Sequence, residues 1–270
     1  MMTRLWLLVA LLLPSLCAAQ TLTFGVVPQQ SAKTLAAKWS PVLSYISEQA
    51  GVTLQFATAK NIPEFEKRLL AGEYDLAYMN PYHYVVFHQK PGYQAIAKQK
   101  DKQIRGIVVV RKDSAIRSLE DLQNTRLAFP SPAAFAASIL PRAQMTQENI
   151  VFTPSYVSSH DSVYLNVARG FFPAGGGVIR TFNNTSPEVR DQLKVLWRTK
   201  PYTSHAIAAH PRVPQAQLTK IVQVMMQMNG EPEAMALLKV LNFKGLEAAS
   251  NDRWDDIRDL DIKLLDYMLE

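Results

Sequence analysis

From residue 21 onward the chain switches repeatedly between two hydrophobic periods. Thr21 to Val27 (TLTFGVV) alternates and is rich in β-branched and aromatic side chains, which predicts a strand. Pro28 ends it, and Ser31 stands where it can cap the next helix. In that helix Leu35, Trp39, Val42, Leu43 and Ile46 recur at helical spacing, and Gly51 closes it. Val52 to Phe56 predicts a second strand. Pro63 opens a helix carrying Phe65, Leu69 and Leu70, which Gly72 stops. Tyr74 to Met79 predicts a third strand, leading through Asn80-Pro81-Tyr82 into another helix. Strand, helix, strand, helix, strand is the order of a parallel sheet with crossover helices.

After Tyr93 the pattern changes. Gln94 to Gln99 and Gly106 to Val110 (GIVVV) predict two long strands that carry the chain into a second lobe. There a short helix at Ser118 to Asp121 precedes a strand at Thr125 to Phe129, a helix at Pro132 to Met145 and a strand at Ile150 to Tyr156. A helix opening at His160, a strand near Val178 to Phe182 and another at Lys194 to Arg198 complete that lobe, and Ala206 to Ala209 returns to the first. The last third is helical, with Ile221, Val224, Met225 and Met228 on one face and Trp254, Ile257, Leu260, Leu264 and Tyr267 along a final helix. The expected protein is therefore α/β, with two mixed-sheet lobes joined by a two-strand hinge. Residues 20–106 and 206–270 make the first lobe, and residues 107–205 the second.

The ends narrow the setting. Arg4, the apolar run Leu5 to Leu13, the break at Pro14-Ser15 and the small residues Cys17-Ala18-Ala19 read as a signal peptide, residues 1–19, cleaved after Ala19. A lipidated Cys17 is the weaker reading, because bulky Leu16 precedes it. The mature chain is then exported to the periplasm without a membrane span. Cys17 is the only cysteine, so the mature fold has no disulfide, no thiolate metal site and no cysteine nucleophile. The formal charge of +6 is spread along the chain. Its densest run, Lys98, Lys100, Lys102 and Arg105, is interrupted by Asp101, a pattern of solvated surface and not of a nucleic-acid patch.

Ligands of open α/β sheets sit beyond the carboxyl ends of strands, in this architecture between the lobes. Every loop with candidate chemistry follows a predicted strand: Pro28 to Ser31, containing Gln30; Asn80 to Tyr82; Pro130 to Ala134, containing Ser131; and Ser158 to Ser162. The last is the densest, since Ser158, Ser159, His160 and Asp161 crowd one helix start where a single capping side chain suffices. The surplus donors, with the partial positive charge of the helix terminus, suit an anion or carbonyl. The plainer alternative is that Ser159 or Asp161 caps while His160 lies on the surface. Tyr82 can stack on a ligand or belong to the core. Ala174-Gly175-Gly176-Gly177 marks a place where the backbone can approach another group closely.

Four stretches, FGVVPQQSAKTLAAKWSPVLSYISEQAG, LLAGEYDLAYMNPYHY, GIVVVRKDSAIRSLEDLQNTRLAF and SSHDSVYLNVARG, together resemble the phosphate/phosphite/phosphonate ABC-transporter substrate-binding family. The resemblance runs from about residue 22 to the C-terminus. It implies a bilobed type II periplasmic binding protein fold, a cleft for a small oxyanion, and a membrane permease as partner. The family's Gly-Ser-His-Asp motif matches Ser158 to Asp161 with serine in place of glycine, which implies that Ser159 and His160 face the ligand.

The resemblance also has gaps. Where the family carries a Ser-Thr-Ser-Gly run before its helix, this chain has Ala134-Phe135-Ala136-Ala137. A family aromatic falls at Ile62 and a family acid at Pro173. The expectation is weak binding of phosphate and simple phosphonates, with Phe135 and Ile62 lining an apolar space for a small organic ligand, unless Ser131 and Ser138 rebuild the cradle. A sensor subunit that presents its closed form to a membrane receptor is the alternative to a transport component. Catalysis is disfavoured, because consecutive His160, Asp161 and Ser162 diverge on a helix and the pairs His83/His88 and His205/His210 lack a third ligand. The expected protein is a monomer that binds a small molecule, with no cofactor, metal or nucleic acid.

Overall fold

The computed structural model describes residues 21–270; the signal-peptide reading lies outside them. β1 (Thr21–Val26) is followed by α1 (Ala32–Ala50), whose start is capped by the Ser31 hydroxyl accepting from the Thr34 amide and whose end is Gly51 at φ 64°. β2 (Thr53–Ala57), α2 (Ile62–Leu70), β3 (Leu76–Met79), α3 (Pro81–Gln89) and β4 (Gln94–Gln99) follow. The chain leaves through a two-residue strand, β5 (Gln103–Ile104), into β6 (Ile107–Arg111). β7 (Thr125–Phe129), a π-helical turn at Phe135–Ile139, α4 (Leu140–Gln147), β8 (Phe152–Tyr156), α5 (His160–Ala168) and β9 (Ala174–Gly177) come next. Short helices α6 (Ile179–Asn183) and α7 (Pro187–Arg190) precede β10 (Leu193–Arg198), β11 (Tyr202–Thr203) and β12 (Ala206–Ala209). α8 (Gln215–Gln227), α9 (Pro232–Val240), β13 (Leu246–Ala248) and α10 (Asp255–Arg258) finish the fold.

Two main sheets result. The first has strand order β13-β4-β12-β3-β1-β2, and the second β10-β6-β9-β7-β8. β1, β2 and β3 are parallel, as are β7, β8 and β9, while β12 and β6, the strands that enter each sheet from the other, run antiparallel to their neighbours. The two crossings pair with each other as β5 and β11, Tyr202 opposite Ile104. Thr199 locks the crossing, accepting at Oγ1 from the Gly106 amide and donating its own amide to the Gly106 carbonyl, both at 3.0 Å.

The first sheet is covered by α1, α8 and α9 through Leu35, Trp39, Val42, Ile221, Met225 and Leu238, all buried. An aromatic-rich cluster on its other face includes Phe65, Tyr74, Tyr82, Phe87 and Trp254, and it also takes in Phe135, Ile139 and Leu140 from the second sheet's side. Apolar packing therefore runs continuously past the crossing strands.

Three elements differ from the pattern reading. The strand expected near Val178 to Phe182 is β9, four residues earlier, and Ile179–Asn183 is helical. Glycines are poor strand formers, but here nothing larger fits. A Cβ on Gly176 would stand 2.1 Å from the Ala137 carbonyl, and one on Gly177 2.2 Å from the Tyr164 hydroxyl. Next, the helix expected over Pro132 to Met145 opens as a π-turn, and the α-helix begins only at Leu140. Pro141 has no amide to give the Ala137 carbonyl, so the ordinary four-residue ladder cannot run through it. Finally, the last apolar stripe is not one helix. α10 stops at Arg258 and Asp261 takes φ 45°, so Trp254, Ile257 and Leu260 are buried while Tyr267 is 68% exposed.

Candidate functional site

A cleft of about 330 Å³ opens between the two sheets, at the carboxyl ends of their parallel strands. From the first sheet's side it is lined by Val27, Pro28, Gln29, Ile62, Asn80 and His205, the residue at which the chain re-enters that sheet. The second lobe contributes Ser131, Ala133 to Ala137, Ser158 to His160, Val178, Arg180 and Thr181.

The two walls are held differently. Asn80 caps α3, its Oδ1 accepting from the His83 amide at 2.7 Å, while its Nδ2 lies 3.1 Å from His83 Nε2. The same His83 nitrogen sits 2.9 Å from Glu66 Oε1, and all three side chains are buried. Gln29 Nε2 donates to His205 Nε2 at 2.8 Å, and the His205 ring stacks on Tyr78 at 4.9 Å. Burial behind this wall pushes the His205 pKa down to about 3, with the charges of His83, Arg180 and Lys102 adding to the effect.

On the second lobe Ser159 caps α5, accepting from the Ser162 amide at 3.0 Å and sharing a 2.8 Å contact with the Ser162 hydroxyl. Ser158 holds φ 75°, which turns the chain into the helix. His160 Nδ1 lies 3.2 Å from Thr181 Oγ1, and Thr181 in turn lies 2.8 Å from the Tyr164 hydroxyl. One proton assignment puts a hydrogen in the shortest contact of the group: Val178 N–H donates to Tyr164, Tyr164 donates to Thr181 at 2.8 Å, and Thr181 donates to His160 Nδ1. Nε2–H of His160 is then a donor left over for the cleft. Desolvation lowers the His160 pKa, the nearby Asp161 opposing the shift and Arg180 adding to it, so the ring is neutral at neutral pH.

Between these donors the wall is apolar. Ala134 starts the π-turn without a side-chain cap, and Phe135 and Ala137 are buried in the position where a hydroxyl run would stand. The first amides of that turn remain, as at any helix start.

The structure brings seven of the sequence-predicted residues to the cleft: Asn80, Ser131, Ala134, Phe135, Ser158, Ser159 and His160. Three lie elsewhere. Tyr82 is core, with its hydroxyl accepting from the Leu265 amide at 2.8 Å and its pKa pushed up to about 12 by burial. Gln30 faces the neighbouring crevice, where its Oε1 accepts from Lys38 Nζ at 3.2 Å, and Gln29 takes the cleft position. Asp161 is exposed in the first turn of α5 and lines no part of the cleft. Ser138 is fully buried, so it does not rebuild the lost cradle from the cleft side. Arg180, Thr181 and His205 were not anticipated. The first two follow β9, whose misplacement by four residues hid them. His205 precedes β12, and because β12 runs antiparallel its start lies beside the end of β3.

The arrangement, two α/β lobes around a cleft lined by an α-helix start, is shared with known proteins. The sequence profile of the family described as "ABC transporter, phosphonate, periplasmic substrate-binding protein" matches residues 24–254. The chain belongs to this family. The phosphate-import protein PhnD of Mycolicibacterium smegmatis is 22% identical over 240 residues, covering 77% of this chain and 72% of that protein. The phosphonates-binding periplasmic protein of Escherichia coli is 23% identical over 275 residues, covering 96% of this chain and 81% of the relative. Among solved structures, PhnD1 of Prochlorococcus marinus in complex with methylphosphonate superposes with a TM-score of 0.77 at 20% identity, over 90% of this chain and 98% of that one. The family is one of periplasmic substrate-binding components of ABC transporters.

Proposed function

We propose that this chain is a non-enzymatic periplasmic receptor that captures a small organic solute with one polar or anionic head and delivers it to an ABC permease. The observation that carries the reading is the second-lobe wall. Ser159 and His160 are retained at the start of α5, but the segment beside them is Ala134-Phe135-Ala136-Ala137, with no hydroxyl. A phosphate or phosphonate dianion leaving water needs nearly every oxygen lone pair met, and each missing donor costs about 1–3 kcal/mol. The loss of two or three hydroxyls reduces affinity by several powers of ten. Ile62 and the methyl groups of Ala134 and Ala136 instead offer an apolar surface to the body of a larger molecule, with Phe135 packed into the core behind them.

Calorimetry with phosphate, phosphite and methylphosphonate tests this. Weak or absent binding is expected, and submicromolar binding of any one of them overturns the pocket reading. Native mass spectrometry of protein purified from its own host identifies a retained solute directly. Capture by closure of residues 107–205 onto residues 20–106 and 206–270, about β5 and β11, predicts a smaller radius of gyration in solution scattering once that solute is added. An unchanged radius at saturation rules closure out.

A further inference from the structure

The charges around the cleft are lopsided. Among the described residues no carboxylate lines it: Asp161 points outward, and Glu66 is buried behind Asn80 against His83. Its two imidazoles, His160 and His205, are both held below their ordinary pKa by desolvation and are neutral at neutral pH. One guanidinium lines it, that of Arg180. Among the described residues Arg180 has no carboxylate partner; Arg105, Arg117, Arg126, Arg142, Arg169, Arg198 and Arg253 have none either, but they do not line the cleft. Arg180 is exposed in the first turn of α6 on the second lobe. It also borders the narrow crevice of about 70 Å³ that Tyr78 and Gln29 wall on the first lobe. Its field reaches both walls, disfavouring protonation of His160 on one and His205 on the other.

We propose that Arg180 is the specificity-determining cation of the cleft, and that the solute is a singly charged organic oxyanion, of carboxylate or sulfonate type, whose body carries no ammonium group. This rests on the solute-binding reading above and names the charge of the solute. One fixed positive charge neutralises one negative charge. A second negative charge would enter a closing, water-poor space without a partner, which is strongly unfavourable. An ammonium group would find no carboxylate and would meet Arg180's own charge. The planar guanidinium presents two parallel N–H donors, the geometry that a two-oxygen face of a carboxylate or sulfonate accepts. Volume supports an organic body. At about 30 Å³ per water, the 330 Å³ cleft holds about eleven waters, far more than a bare tetrahedral anion displaces.

The test compares hexanesulfonate with hexylphosphonate by calorimetry at about pH 9, where the phosphonate carries two charges and the sulfonate one. The sulfonate is expected to bind at least about ten-fold more tightly. Arg180→Gln should lower its affinity by about 10- to 100-fold, the worth of a hydrogen bond to a charged group, and collapse the ratio between the two ligands toward one. Binding of neutral hexanol and the melting temperature of the free protein should not move, which separates recognition of charge from a structural role. Phosphonate binding as tight as sulfonate binding, or an Arg180→Gln variant that keeps the wild-type ratio, overturns the charge assignment and leaves the solute-binding reading standing. Failure of every probe to bind, with no small molecule retained by the native protein, overturns both.

Discussion

On the first-lobe side of the cleft, Asn80, His83 and Glu66 are occupied with one another, and Gln29 is occupied with His205. On the second-lobe side, Arg180 has no carboxylate partner among the described residues, His160 keeps a nitrogen free, and the Ala136 and Ala137 carbonyls rest against Gly106 and Gly176, where no side chain fits. The first wall is a set of satisfied polar groups that holds a shape. The second carries the free donors and the charge, on a backbone packed so closely that only glycine fits beneath it. Relatives of one fold can therefore change their ligand by editing the second wall while the first stays put.

The harshest way to break this asymmetry is Gly176→Ala. The added Cβ would lie 2.1 Å from the Ala137 carbonyl and 2.6 Å from the Phe129 ring, neither of which can retreat without moving the wall. A loss of about 3 kcal/mol or more is expected, read as a lowered melting temperature. Gly230→Ala, with nothing within 4 Å, should stay within about 0.5 kcal/mol.

The first wall is sharpened by pH. His205 is neutral in the folded protein down to about pH 3, whereas the unfolded chain takes up a proton below about 6.5. Stability should therefore be level above about pH 6.5 and fall as pH drops from there toward 3, by up to about 1.4 kcal/mol per pH unit for this group. Urea midpoints at pH 7 and pH 5 measure it. His205→Asn should flatten the slope in part, the remainder belonging to His160 and His210, whose pKa values are also lowered by burial.

His160→Ala tests the second wall more gently. Solute affinity should fall about ten-fold, near the net worth of one hydrogen bond, with little change in the melting temperature of the free protein. Retained affinity with early melting would make His160 a support for Thr181 and no ligand contact. A smaller effect belongs to Tyr82→Phe, which removes the acceptor of the Leu265 amide. It should lower stability by about 1 kcal/mol and leave solute affinity unchanged. A change in affinity would return Tyr82 to the site.

Much of this was legible in the chain. Strict alternation in β1 and the helical spacing of Leu35, Trp39, Val42 and Ile46 report local burial, which a single sequence displays directly. The start of α5 was legible because capping chemistry is local. What stayed hidden is set by contacts distant in sequence. β9 carries no strand signal of its own, because its glycines answer to Ala137 and Tyr164 across the sheet. Tyr82 and Asn80 are two residues apart, yet one faces the core and the other the cleft. That division depends on Leu265, 183 residues later.

β12 lies between β3 and β4 in the middle of the first sheet, yet its residues, Ala206–Ala209, come after the entire second sheet in the chain. A chain emerging N-terminus first therefore presents β1 to β4 with a gap at the centre, and no neighbouring pair bridges β3 to β4 until β12 arrives. The second sheet, with all its strands between residues 107 and 198, has no such gap. The lobe that begins the chain is thus the last that can be closed, and a nascent or translocating chain that stops between residues 198 and 206 holds a complete second sheet beside an unfinished first one.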